Sequence, residues 1–156
     1  MIAWHCSPFN ELTVHTLYSL LKIRCDVFVV EQACAYPELD DLDTHPSTLH
    51  LYATHQNQPI AYARVLAPDV SYPSHSSIGR VLVIQEYRQE KLGHTLIQQA
   101  IKTALETWPQ QPIKIGAQSR LAHFYQAQGF KTVSPPYMED GIEHISMVLA
   151  STLAGE

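Results

Sequence analysis

The stretch from Ser77 to Trp108, SIGRVLVIQEYRQEKLGHTLIQQAIKTALETW, limits what this chain can fold into more than any other part of it. It opens with an apolar run from Ile78 to Ile84, with Val81, Leu82 and Val83 at its centre. A short polar turn follows, carrying Arg88, Lys91 and Gly93. Apolar residues then recur at helical spacing: Leu92, Leu96, Ile97, Ala100, Ile101, Ala104, Leu105 and Trp108. A strand, a compact turn with two cations and a long helix make a cradle for an anion. The first-turn amides of a helix lack partners inside it, and its dipole favours negative charge at that end.

The rest of the chain arranges itself around this unit. Ile2 to Cys6 reads as a strand ended by Ser7-Pro8, and Thr13 to Phe28 has helical spacing, with Asn10 and Thr13 both suited to cap it. Val27 to Glu31 can extend that helix or run extended; its pattern fits either. Residues 33–48, with Pro37, Pro46 and the acidic group Glu38, Asp40, Asp41 and Asp43, read as a loop that is solvated or attracts a cationic substrate. Leu49 to His55 and Pro59 to Leu66 alternate as a hairpin. Beyond Trp108, Ile113 to Gln118 reads as a strand, Ser119 as the cap of a helix ended by Gly129, and Phe130 to Val133 and Ile142 to Leu149 as the last strands. The order β-α-ββ-β-α-β-α-ββ, without repeats or linkers, predicts an α/β (α+β) fold in one domain over residues 1–156, its core at about 5–150.

Composition removes several classes of function. A net charge of −5 is wrong for nonspecific nucleic-acid binding and leaves any anionic ligand to a local site. No apolar run approaches a membrane span, and no signal peptide is recognisable. Three cysteines, Cys6, Cys25 and Cys34, form no C-x-x-C pair and suit a reduced, cytoplasmic setting as small apolar fillers. Nine histidines invite a metal-dependent hydrolase, but they lack ligand spacing, so no metal is expected.

Three features taken together say more. The strand-turn-helix is preceded by a hairpin and followed by a strand ending in Gln118 that leads into FYQAQGF (124–130). Together with RCDVFVVEQ (24–32), IGRVLV (78–83), KLG (91–93), IGAQ (115–118) and EDGIEHI (139–145), these resemble the GNAT superfamily of acyl-CoA-dependent N-acyltransferases, in its ElaA-like branch, over nearly the whole chain. The family's pyrophosphate motif is Q/R-x-x-G-x-G/A. Arg88 and Gly93 fall in it, with Lys91 where the pattern has its first glycine.

The resemblance implies a GNAT fold: a mixed, mostly antiparallel sheet flanked by helices, with a splayed central pair of strands. It implies acetyl-CoA as co-substrate and a primary amine, on a small molecule, peptide or protein, as acceptor; homodimers are common in the family. Val81, Leu82 and Val83 would pair with the pantetheine arm. The turn residues Arg88, Gln89, Glu90, Lys91, Leu92, Gly93, His94 and Thr95 would wrap the pyrophosphate, and Gln118, Phe124 and Tyr125 would complete the acyl-CoA site. A main-chain amide near Leu82 would meet the developing oxyanion. Tyr125 would protonate the departing thiolate, and Glu31 or His144 would take the proton of the amine. The competing reading of the same cradle is a catalytically idle acyl-CoA-binding sensor or interaction module. Blander roles also fit single residues: Tyr125 as core aromatic, His144 as a satisfied strand histidine, and Glu31 with Arg24 as an ion pair bracing the first helix.

Overall fold

The computed structural model describes residues 1–151. Strands β1 (Ile2–Pro8), β2 (Leu49–His55), β3 (Gln58–Leu66) and β4 (Ser77–Val83) pair antiparallel in that order. In a second antiparallel group β8 (Ile142–Leu149) pairs with β5 (Ile113–Gln118), β6 (Lys131–Thr132) and β7 (Tyr137–Glu139). One parallel bridge joins the groups. The amide of Ser76 donates to the carbonyl of Pro112 at 3.1 Å, and that of Lys114 to the carbonyl of Ser76 at 2.9 Å. Past this point β4 and β5 share no ladder, so the sheet is splayed at its centre.

Helices cover both faces of the first four strands. Leu92, Leu96, Ile97, Ala100 and Ala104 form one buried stripe along α2 (Leu92–Thr107), packed on Ala53, Ala61, Ala63 and Val65. The three strand alanines are fully buried, and their small side chains let the helix lie close. On the opposite face Leu20 of α1 (Val14–Cys25) and Val27 pack on Tyr52, Tyr62 and Leu82. The third helix, α3 (Ala122–Gln126), is short.

Several details depart from the sequence reading. Thr13, not Asn10, caps α1: its hydroxyl accepts from the Thr16 amide at 3.1 Å. Asp26–Glu31, left open above, is a π-helix continuing α1. Ser119 makes no cap bond; it opens a 3₁₀ turn (Ser119–Leu121), and its buried hydroxyl has no partner among the described residues. The strand expected from Phe130 to Val133 shrinks to two residues. Strand β7 was missed, although Asp140-Gly141, with φ of 51° and 78°, is a two-residue hairpin signal. Cys6 is exposed and Cys25 and Cys34 half-buried, so none is a core filler.

The acidic loop is the largest correction. Glu38 and Asp43 are buried, and with Asp40 they face three arginines. Arg24 donates to Glu38 Oε2 and Asp43 Oδ1, each at 2.7 Å, so its partners are not Glu31. Arg64 forks onto both oxygens of Asp40 at 2.8 and 2.7 Å. Arg80 reaches Glu38 Oε2 at 2.9 Å and its carbonyl at 3.1 Å. His50 bridges Tyr62 and the Asp43 carbonyl; since a carbonyl only accepts, Nε2 carries the proton there.

This network makes stability depend on acid. Burial alone would raise the Asp40 carboxyl, but Arg64 outweighs it and brings it down to about 2. Burial lowers His50, which therefore stays neutral in the fold where an unfolded chain would protonate. Both groups have depressed folded values, so both contributions are present at neutral pH and lost on acidification: His50 below about pH 6.5, Asp40 below about pH 4. The thermal midpoint should fall steadily from neutral pH to about pH 3 in scanning calorimetry. A flat midpoint down to about pH 4 would show that His50 is not linked to folding.

Candidate active site

The parting of β4 and β5 opens a cleft of about 790 Å³. Val81, Leu82 and Val83 form one wall, Ile115 to Gln118 the other, with Tyr125, Phe124 and Gly93 along its length. A bulge shapes the first wall. Tyr62 pairs with Leu82 and Arg64 with Gly79, so Arg80 and Val81 together oppose Ala63, and Arg80 has φ +50°. The ion pairs of Arg80 with Glu38 and Asp40 hold this unfavourable backbone. The Ile84 amide donates to Ile60 at 2.9 Å. By the alternation of strands, Leu82 then also faces β3, and the backbone groups of Val81 and Val83 face the cleft. The outward groups expected near Leu82 thus belong to its two neighbours.

At one end of the cleft the chain enters α2. Lys91 has φ +55°, the left-handed conformation that glycine adopts without strain. The α2 dipole and its first amides face this turn. Gly93 lines the cleft: a Cβ there would meet only Phe124 at 3.9 Å and Val83 at 4.0 Å. Arg88 also lines it, donating from Nε to the Val83 carbonyl at 2.8 Å and forking onto Glu31 at 2.6 and 2.8 Å. Gln89, Lys91, His94 and Thr95 are exposed beside it, and the Leu92 side chain is in the core. His94 packs on Phe124 and bonds Gln128 at 3.1 Å. The side chain of Glu90 lies outside the described residues.

The three expected proton carriers share the cleft but differ in condition. Tyr125 is 7% exposed, makes edge contacts with Phe124 and Phe130, and its hydroxyl has no hydrogen bond among the described residues. Burial pushes its phenol up to about 12, so it stays protonated. Glu31 is clamped by Arg88, whose hydrogen bonds hold its carboxyl below the usual range and make it a poor base. His144 donates from Nδ1 to the Ile142 carbonyl at 2.7 Å. A carbonyl only accepts, so in the neutral ring Nε2 is the bare nitrogen, and it lies 3.8 Å from Glu139.

Sequence reasoning missed the far end of the cleft. Tyr36, Tyr72, Glu139 and Asp140 line it around Gly116, and the Tyr137 hydroxyl stands close to that glycine. A Cβ on Gly116 would stand 2.7 Å from the Tyr137 hydroxyl, so only glycine leaves this end open. Gln118 reaches Gln32 at 3.4 Å, and the Cys34 thiol donates to the Asp140 carbonyl at 3.3 Å, so the segment after the π-helix straps the opening. Gly116 lies in IGAQ and Glu139-Asp140 in EDGIEHI, but nothing in their spacing marked them as lining a cleft.

A splayed sheet whose parted strands face a helix N-terminus is the framework of the GNAT acyltransferases. The chain belongs to that family: the model for the acetyltransferase (GNAT) domain matches residues 22–151. Within it the chain is of the ElaA-like branch, 42% identical to protein ElaA of Escherichia coli over 94% of this chain and 95% of that one. The crystal structure of E. coli ElaA superposes with a TM-score of 0.89 at 40% identity, covering 96% of this chain and 99% of the other. That of an acyl-CoA N-acyltransferase from Pseudomonas aeruginosa gives 0.91 at 40% identity, covering 96% and 100%.

Among the described residues, no helix is long and apolar enough to cross a membrane.

Proposed function

We propose that the protein transfers an acetyl group from acetyl-CoA to a primary amine by direct attack. The observation that supports this best is the pair of parted strands with the bare Nε2 of His144 and the protonated phenol of Tyr125 on one cleft. The cleft suits acetyl-CoA. Val81 and Val83 offer strand edges to the pantetheine arm, while Arg88, Arg120 and the N-terminus of α2 supply positive potential for the phosphates.

When bound, acetyl-CoA supplies an activated acyl group; the rest falls to the chain. His144 Nε2 takes one proton from the acceptor ammonium, whose pKa is about 10.4 in solution. Backbone amides on the cleft edge of β4 hydrogen-bond the oxygen as negative charge builds on it. Tyr125 gives its hydroxyl hydrogen to the departing sulfur and regains one from the nitrogen of the tetrahedral intermediate through water, while His144 releases its proton to solvent. Arg88 must leave the Val83 carbonyl and Glu31 for the pyrophosphate, so the clasp in this structure guards the entrance.

Acetyl-CoA titrated calorimetrically should bind, and release of free thiol should depend on an added amine. Gly93→Leu fills the space under the phosphate turn and is expected to weaken acetyl-CoA binding at least about tenfold while leaving the melting curve intact. No binding by the wild-type protein ends the proposal.

A further inference from the structure

The acceptor end of the cleft has an uneven charge balance. Each arginine there is already engaged: Arg64 by Asp40 and Asp43, and Arg80 by Glu38 and Asp40. Arg88 and Arg120 belong to the other end, where Arg88 holds Glu31 and Arg120 donates to Gln118 at 3.1 Å. Glu139 and Asp140, in contrast, pair with no arginine or lysine among the described residues; Glu139 has only His144 nearby, at 3.8 Å.

Aromatic groups surround these carboxylates. Tyr137 stacks on His144 with ring centroids 5.9 Å apart, and the hydroxyls of Tyr137 and Tyr72 converge over Gly116. Lys114 lies over the Tyr72 ring at 5.0 Å and is not part of the cleft lining, which shows that this ring accepts a cation on its face. His144, only 8% exposed, turns its unpartnered Nε2 to the same space. A bare nitrogen on a mostly buried ring, beside an unpaired carboxylate and two phenol rings, fits an ammonium that arrives charged and must then lose a proton.

From this we infer that the acceptor is a polycationic alkylamine, with a second ammonium held by Glu139 and Asp140 while the first meets His144. The inference rests on the acetyl-transfer reading above. An acceptor with a carboxylate near its amine meets two carboxylates on this part of the cleft lining, from which Lys114, held on the Tyr72 ring, is absent. Coulomb attraction favours the diamine, and repulsion disfavours the amino acid.

Three probes with the same nucleophile and chain isolate the distal charge: butanediamine, butylamine and γ-aminobutyrate, each assayed with acetyl-CoA by thiol release at neutral pH. In the wild-type protein kcat/KM should fall in that order, by about tenfold or more from first to last, and added salt should compress the difference. In Glu139→Gln with Asp140→Asn the diamine-to-butylamine ratio should drop toward one. Because the ratio is taken within one protein, a general loss of activity cancels. A flat or reversed order, a ratio unchanged in the double variant, or no turnover of any of the three overturns the inference. Failure of acetyl-CoA to bind by calorimetry overturns the reading beneath it instead.

Discussion

Replacing Arg24 by methionine is expected to lower the stability of the protein by about 3–5 kcal/mol, the largest effect of any single substitution considered for this chain. The side chain is 1% exposed and holds two carboxylates that are themselves almost fully buried. Methionine fills much of the volume but donates nothing. Glu38 keeps Arg80 and Asp43 keeps Arg64, so the cost comes from losing the strongest partner of each, not from leaving either wholly alone. Lysine should rescue little, because one ammonium cannot reproduce the three directed bonds of the guanidinium to Glu38 and Asp43. Denaturant unfolding measures this directly. A loss under about 1 kcal/mol would mean that the network is dispensable to the fold. The same variant should also loosen Arg80, and with it the bulge that aims Val81 and Val83 into the cleft.

Tyr125→Phe tests the chemistry with little disturbance of the fold. The phenol oxygen has no hydrogen-bond partner among the described residues, so removing it leaves no buried group unsatisfied. The ring contacts with Phe124 and Phe130 survive. The melting temperature should therefore stay within about 2 °C and acetyl-CoA affinity within about twofold, while kcat falls by about a hundredfold, the range for a lost general acid. A phenol at about 12 does not ionise near neutral pH, so the pH profile of the wild-type protein should show no descending limb from this group. Unchanged turnover in the variant would take Tyr125 out of the mechanism and favour the idle, ligand-holding reading of the same cleft.

The strand, turn and helix between Ser77 and Trp108 were legible because each carries its own periodicity. An apolar run bounded by polar turns and a stripe at helical spacing survive in any tertiary context that buries them. The hairpin of β2 and β3 was legible for the same reason. The π-helix at Asp26–Glu31 was not, since Val27 to Val30 have the pattern of either a helix or a strand, and only packing on Tyr52 and Tyr62 separates them. Strand β7 is three residues long, too short for a pattern to emerge.

The site divides along the same line. Arg88, Gly93 and Tyr125, all of which line the cleft, were legible as candidates because they lie on one contiguous unit or in a motif that local spacing preserves. Glu31 was read as a base or as the partner of Arg24, yet it is clamped by Arg88, 57 positions away. The acidic loop was read as solvated, yet its carboxylates bury against arginines from α1, β3 and β4.

By itself, then, the sequence determined the order of elements apart from β7, the strand-turn-helix at its centre and the family, because these depend on periodicity and short-range spacing. The tertiary structure alone decided which charges cancel. Coulomb energy depends on separation and burial, and the chain carries no local record of which arginine will lie 2.7 Å from which carboxylate. Among the described residues that pairing leaves Glu139 and Asp140 without an arginine or lysine partner at the far end of the cleft, beside the free nitrogen of His144.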